Sequence, residues 1–404
     1  MAAAVLEFLE ARREAIVELA CELIATPSVN PPGDERAVVD VVQRAMADLG
    51  YDRTEIFARD ERRPNLLGEI GHASPSLLLN GHLDTQPPEP RDEWRTDPFD
   101  PVIVDGRLYG VGAADMKASV AAMVFAGAAV REAGDLRGTL KVLLTADEES
   151  GSHFGARYVA QQRLVDADAA VVGEAAGVSE PWEWIGVASR GTSRFRLRVN
   201  GTQMHSGLRD HVPSVNAAEK AARLLVRLAE DFRPRYPERP LVGSAPSVNP
   251  VILHDELGLF STVPGEAVVG VDVRTSPGMS LETFEEDLER FLATARADDP
   301  ELDVAVEWLD GMQWFPPCEL PPDHRLSDAL RRATADVFGR ELPFGVMPAF
   351  TDGSQWAAAG IPTVPALGPG ALLNIHRPNE WVGVDEIVDA AKIFALAAVD
   401  FLAG

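Results

Sequence analysis

The sequence predicts an α/β fold, a mixed, mainly parallel sheet flanked by helices, with an inserted α+β unit. Three observations predict it. Apolar runs at Leu77–Leu79, Leu140–Leu144 and Ala169–Val172 alternate with helical patterns, the order from which parallel sheets are built. Near Trp184 the texture changes, and Phe195–Val199 then alternates apolar and polar residues as a half-exposed strand does. The elements that follow run β-α-β-β-α-β, the split unit of a ferredoxin-like domain. At 404 residues the chain exceeds one ordinary core. The expected boundaries are 1–184 for the first part of a main domain, 185–312 for the insertion and 313–404 for the return.

In chain order, M-A-A-A-V-L-E-F-L-E-A-R-R-E reads as an amphipathic helix; Glu7, Glu10 and the lack of a basic start set it apart from a secretory signal. Pro27 to Asp34 is turn material, and Ala37–Leu49 is a helical pattern stopped by Gly50. Leu66–Ile70 is a strand, as is Leu77–Leu79 after it. Pro87 to Asp105, rich in Pro and Asp without a period, reads as a long loop. Small and apolar residues from Met116 to Glu132 suit a tightly packed helix, and Phe154–Gln162 a further one. In the insertion, Val215–Phe232 is amphipathic, Val248–Leu253 and Ala267–Val273 are strands, Leu281–Ala295 is a helix and Val304–Trp308 a strand. Pro316, Pro317, Pro321 and Pro322 mark the return, followed by a helix at Arg325–Phe338, a strand at Ile361–Ala366 and a closing helix at Val384–Leu402.

Composition narrows the function. Hydrophobic residues at 46% and charged ones at 25% are those of a globular protein. The net charge of -26 repels the phosphates of nucleic acid and the anionic face of a membrane, so neither is an expected partner. The longest nearly apolar run, Ala118 to Val130, is too short to span a bilayer. Two cysteines, Cys21 and Cys318, make neither a disulfide framework nor a thiolate metal motif, and the expected compartment is the cytoplasm.

Each predicted strand of the parallel set ends in residues that can bind a metal: His82 and Asp84, then Glu148 and Glu149, then Glu174. Ligands collect beyond the carboxyl ends of such strands, and a His-x-Asp pair lets a carboxylate orient a metal-binding imidazole. Plainer readings stand beside this one. Acidic strand ends also arise from exposure alone, Asp115 before Met116 also fits a helix N-cap, and His376 near Pro378 also fits an ordinary loop.

The motifs come in a specific order: G-H-L-D at 81–84, W-R-T-D-P-F at 94–99, G-V-G-A-A-D-M-K at 110–117, D-E-E at 147–149, G-E at 173–174, R-G-T-S-R-F at 190–195, H-S-G at 205–207, G-P-G at 368–370 and H-R-P-N-E at 376–380. Over nearly its whole length the chain thereby resembles the M20 family of zinc aminoacylases and exopeptidases, which includes acetylornithine deacetylase, succinyl-diaminopimelate desuccinylase and glutamate carboxypeptidases. The resemblance implies two zinc ions per chain, for which Co2+ or Mn2+ can substitute. His82 and Glu174 would hold one, Glu149 and His376 the other, and Asp115 would bridge them. Glu148 would be the general base for a metal-bridging hydroxide, with Asp84 orienting His82. His205 would stabilise the oxyanion in a partner's site, across a homodimer formed through the inserted dimerisation or lid domain, and Arg274 would clamp a substrate carboxylate.

The expected activity is hydrolysis of a linear amide, deacylating an N-acyl amino acid; the alternative is a carboxypeptidase or dipeptidase acting on short peptides. An inactive binding relative would lack a ligand or the base, and none is missing. A nucleotide-binding oxidoreductase is disfavoured because G-V-G-A-A-D lacks the third glycine of a dinucleotide turn. In H-D-E-L-G-L-F-S-T-V-P, Ser261 stands where many relatives have Asn.

Overall fold

The computed structural model describes residues 1–134, 136–239, 245–255, 258–309 and 311–403. Glu256 and Leu257, in the segment that precedes Ser261, lie outside them. The chain divides into two compact units, Met1–Ser189 with Cys318–Gly404, and Arg190–Pro317.

The first unit is built on a six-stranded sheet in the order Arg53–Ala58, Pro64–Ile70, Thr139–Thr145, Ser76–His82, Ala169–Val172, Thr363–Val364. Pairing is parallel among the last four strands and antiparallel at the Arg53–Ala58 edge, so the sheet is mixed and mainly parallel. Ser76–His82 lies between Thr139–Thr145 and Ala169–Val172, which explains its continuous apolar run: both faces are covered. Asn80 interrupts that run without cost, because its amide donates to the Leu143 carbonyl at 3.0 Å and accepts the Trp356 indole N–H at 2.8 Å. Leu78, Leu143, Ala170 and Trp356 share one core, while the helices Ala118–Glu132 and Val384–Leu402 pack on each other and on Ser76–His82. By length and composition Ala113–Glu132 could cross a membrane, with a mean hydropathy of 1.4, but its whole apolar window is buried in the fold.

The second unit is a four-stranded antiparallel sheet in the order Ser247–Asp255, Glu266–Thr275, Gly191–Asn200, Asp303–Trp308. With helices Ala217–Asp231 and Leu281–Asp298 it follows the β-α-β-β-α-β order of a ferredoxin-like domain. Alternation decides its core: Phe195, Leu197 and Val199 face inward with Val269, Val271 and Val273, and meet Leu224, Leu228, Phe284 and Leu288 from the helices.

Several elements differ from expectation. Arg12 separates the opening helix into Ala2–Ala11 and Arg13–Ile24. The strand Arg53–Ala58 lacks a clean apolar face because it is an edge with one neighbour. The loop from Pro87 to Asp105 ends in a strand, Val102–Val104, that forms a hairpin with Arg107–Tyr109. Ile185–Ser189, on the insertion side of the expected boundary, belongs to the first unit, since it pairs in parallel with Phe344–Met347 and antiparallel with Cys318–Glu319. At the return, Phe315 still bridges to Thr192 inside the second unit. Finally, the helix expected from Met116 begins at Ala118, and Asp115 and Met116 have non-helical backbone.

Candidate metal centre

That last difference shapes the site. Gly112, at φ 76°, turns the chain left-handed, and the segment Ala113–Lys117 swings Asp115 away from any capping role: no side-chain cap bond forms. The Asp115 carboxylate instead spans two imidazoles. Its Oδ1 lies 2.9 Å from His82 Nε2 and its Oδ2 lies 3.0 Å from His376 Nε2. Glu174 Oε1 lies 3.6 Å from His82 Nε2, and Glu149 Oε2 lies 3.2 Å from His376 Nε2. Two groups of potential ligand atoms result, His82–Asp115–Glu174 and Asp115–Glu149–His376, each within 4.8 Å and sharing Asp115.

The sheet explains the convergence. His82 ends the central strand, Glu148 and Glu149 follow the strand on one side of it, and Glu174 follows the strand on the other. His376 arrives from the other end of the sequence, on the loop after Gly368. A Cβ at Gly368 would lie 2.0 Å from the Gly173 carbonyl oxygen, so only glycine lets that loop pass so close to the strand end carrying Glu174.

The electrostatics are those of a site short of positive charge. Desolvation and then Asp115 push Glu174 up to about 7, and the same two causes raise Glu149. Glu148 is raised well above the usual carboxylate range, first by desolvation, with His82 opposing and Glu174, Asp352 and Glu149 reinforcing. Burial alone would lower both imidazoles, yet Asp115, with Asp84 at His82 and Glu149 at His376, raises His82 well above its ordinary value and His376 to about 11. Asp115 itself is lowered, because the two imidazoles outweigh its burial. Two imidazoles cannot balance the four carboxylates of Asp115, Glu148, Glu149 and Glu174. The donor set fits two divalent cations that accept oxygen and nitrogen.

A layer of residues behind the cluster holds it in place. His82 Nδ1 is 3.0 Å from the Asp84 main-chain carbonyl, nearer than the Asp84 carboxylate at 3.6 Å. The carboxylate accepts the main-chain N–H groups of Glu148 and Glu149, both at 3.1 Å, and the Asn30 amide at 2.8 Å. Asn30 also donates to Asp147, which accepts from Arg63 at 3.1 Å; Arg63 in turn forks onto the buried Glu35. Burial pushes Glu35 up to about 7 in spite of that fork. Gln86 donates to Glu149 Oε2 at 2.9 Å, and the fully buried Lys117 donates to the carbonyls of Leu23 and Thr26. Of these supports, Asp84 was expected from the sequence, whereas Asn30, Glu35, Arg63 and Gln86 were not. Asn30 lies in turn material and Arg63 in an exposed-looking charged run, and neither carries a local signal of its partner.

His205 and Arg274 lie in the second unit. His205 is exposed, and its Nδ1 accepts the Gly207 N–H at 3.1 Å, which leaves the proton of the neutral ring on Nε2, free to donate. Arg274 Nε donates to Asp272 at 2.9 Å. Arg190, which opens the R-G-T-S-R-F motif but has no expected role of its own, stands close enough to Arg274 that burial and then the Arg274 charge lower its pKa.

The chain is similar to known proteins over nearly its whole length. The family model described as peptidase family M20/M25/M40 matches residues 78–400. A succinyl-diaminopimelate desuccinylase of Stenotrophomonas maltophilia (strain R551-3) is 32% identical over 379 residues, covering 92% of this chain and 95% of that enzyme. Among solved structures, the Saccharomyces cerevisiae di-peptidase Dug1p superposes with a TM-score of 0.79 at 16% identity, over 100% of this chain and 99% of its own. The M20 family metallo-carboxypeptidase Sso-CP2 of Sulfolobus solfataricus does so with a TM-score of 0.77 at 20% identity, over 96% and 99%. Both structural likenesses support the fold, and the sequence match carries the assignment: the chain belongs to peptidase family M20/M25/M40 and is a metal-dependent amidohydrolase.

Proposed function

We propose that this chain removes an acyl group from an N-acyl amino acid that bears a free carboxylate, using two zinc ions held by His82, Asp115 and Glu174 and by Asp115, Glu149 and His376. The observation that carries the metal reading is the Asp115 carboxylate, one oxygen facing each imidazole. Two divalent cations there would polarise the amide carbonyl and make water nucleophilic at neutral pH. Glu148, part-exposed beside the cluster, takes the proton of the attacking water and delivers it to the leaving nitrogen. Asp84 holds Glu148 and Glu149 in register through their main-chain N–H groups. Arg274, with Arg190 beside it, supplies guanidinium donors for the substrate carboxylate.

We also propose a homodimer through the second unit. Its edge strand Ser247–Asp255 has one neighbour, and Val251 and Leu253 are 61% and 49% exposed, with Phe260 fully exposed nearby. Such an apolar edge favours pairing with a second copy, and His205 would then donate to the oxyanion in the partner's site. The free cysteines Cys21 and Cys318 suit the reducing cytoplasm.

Acyl removal is favoured over peptide cleavage by the desuccinylase likeness, 32% identical across almost the full length of both chains. The deciding experiment is a panel of N-succinyl and N-acetyl amino acids against dipeptides, assayed with the zinc-loaded protein. The expected result is highest kcat/KM on an N-acyl amino acid. Preference for dipeptides would overturn the deacylase reading in favour of the dipeptidase one.

A further inference from the structure

Glu380 lies four residues beyond His376 and is 3% exposed. Its carboxylate makes no ion pair among the described residues; it points at backbone. Oε1 accepts the N–H of Ala114 at 2.8 Å and of Asp115 at 3.1 Å, and Oε2 accepts the N–H of Gly112 at 3.2 Å. The left-handed turn at Gly112 gathers these amides into a concave nest of the kind that binds anions, and here a side chain from the far end of the sequence fills it. The Glu380 carbonyl also accepts the Gly110 N–H at 3.1 Å. Next to it, Trp381–Gly383 pairs with Arg107–Tyr109, and Asn379 accepts from Arg95 and donates to Glu93.

We propose that Glu380 is a positioning residue for the shared carboxylate of the metal centre: by holding the 112–115 nest it fixes where Asp115 stands between His82 and His376. One short segment thus brings a ligand, His376, to Asp115 from in front and a clamp, Glu380, to its main chain from behind. The Asp115 N–H is one bond from the Cα that carries the bridging side chain, so a shift of the clamp moves the bridge directly. Sites of this kind need their ligands within about 0.5 Å. A loop that only needed its amides satisfied could use water; one side chain that takes all three N–H groups ties the turn under Asp115 to the segment that carries His376.

The inference rests on the two-cation reading, and the test separates the two. Metal-free wild type and Glu380→Gln are titrated with Co2+, reading both calorimetric affinity and the visible absorption of the bound ion; kcat and KM are then measured on the loaded forms. Gln places an NH2 group against one of the three N–H donors, so the nest loosens without a cavity. Expected are two ions in wild type, a 10- to 100-fold loss of Co2+ affinity in the variant, roughly, with an altered absorption spectrum, and a fall in kcat with KM nearly unchanged. A purely structural Glu380 would lower the melting temperature while leaving affinity and spectrum alone, and that result overturns the positioning role. Failure of wild type to take up two ions overturns the metal reading instead. Should Glu380→Gln not fold, Glu380→Asp, which keeps the charge but withdraws it by one methylene, is read in the same way.

Discussion

Asp84 Oδ1 accepts the main-chain N–H of Glu148 at 3.1 Å, so the end of the central strand grips the loop that follows its neighbour. The other oxygen does the same for Glu149. The backbone of this pair is held, and the two side chains, proposed as base and as ligand, can be tested separately. Glu148→Gln is expected to keep its metal and fold while kcat falls by roughly a thousandfold or more. Glu149→Gln is expected to lose metal, read by elemental analysis. The opposite pattern would exchange the two roles.

Removing the metal with a chelator should abolish hydrolysis and lower the melting temperature. The buried carboxylates of Asp115, Glu149 and Glu174 then face one another with only imidazoles between them. Re-addition of Zn2+ should restore both properties. Full activity after exhaustive chelation would contradict a metal-dependent mechanism.

Arg274→Ala should raise KM strongly for substrates with a free carboxylate and affect their amidated analogues much less. An equal loss on charged and uncharged substrates would remove the clamp from the mechanism.

His205→Ala and Glu148→Ala should each be nearly inactive alone. If His205 acts across a dimer, mixing equal amounts makes about half of the dimers mixed, each with one whole site of two, and about a quarter of wild-type activity returns. No recovery among chains shown to exchange would place His205 outside the partner's site.

Asp287 tests the second unit by pH. Burial pushes its carboxyl up, but the Arg235 N–H, the Arg235 guanidinium and Arg290 outweigh this, and the net pKa is below the usual value. A depressed folded pKa stabilises the fold above the unfolded value, near 3.9, and the contribution is lost as pH falls through the folded value. Asp287→Asn should therefore cost about 1–2 kcal/mol at pH 7, kept modest by the solvent-facing guanidiniums, and progressively less below about pH 4. Urea unfolding of both proteins at pH 7 and pH 3 measures it; a constant difference would refute the linkage.

Much of the fold was legible because its signals are local. The three-leucine run ending at His82, the apolar runs before Glu148 and Glu174, and the alternation Phe195–Val199 follow from burial on two faces or on one. Arg53–Ala58 escaped notice because an edge strand with one partner needs no apolar face, and Ile185–Ser189 because a short, wholly buried strand has no period. His82, Glu148, Glu149 and Glu174 were legible in the same way, as residues at strand ends, whereas Asp115 and His376 entered as candidates only through the order of motifs that resembles the M20 family.

By itself, the sequence determined which chemistry the chain could carry: one imidazole and several carboxylates at the ends of parallel strands, with Asp115 and His376 following in the motif order of a known family. Only the tertiary structure decided what Asp115 does. Locally it is a helix cap as good as any other Asp. The turn at Gly112, the grip of Glu380 on three amides and the arrival of His376 put its carboxylate between two imidazoles. Glu380 and His376 lie more than 200 residues away from Asp115 along the chain, and their contact depends on strand order and loop path, which no local pattern of side chains encodes.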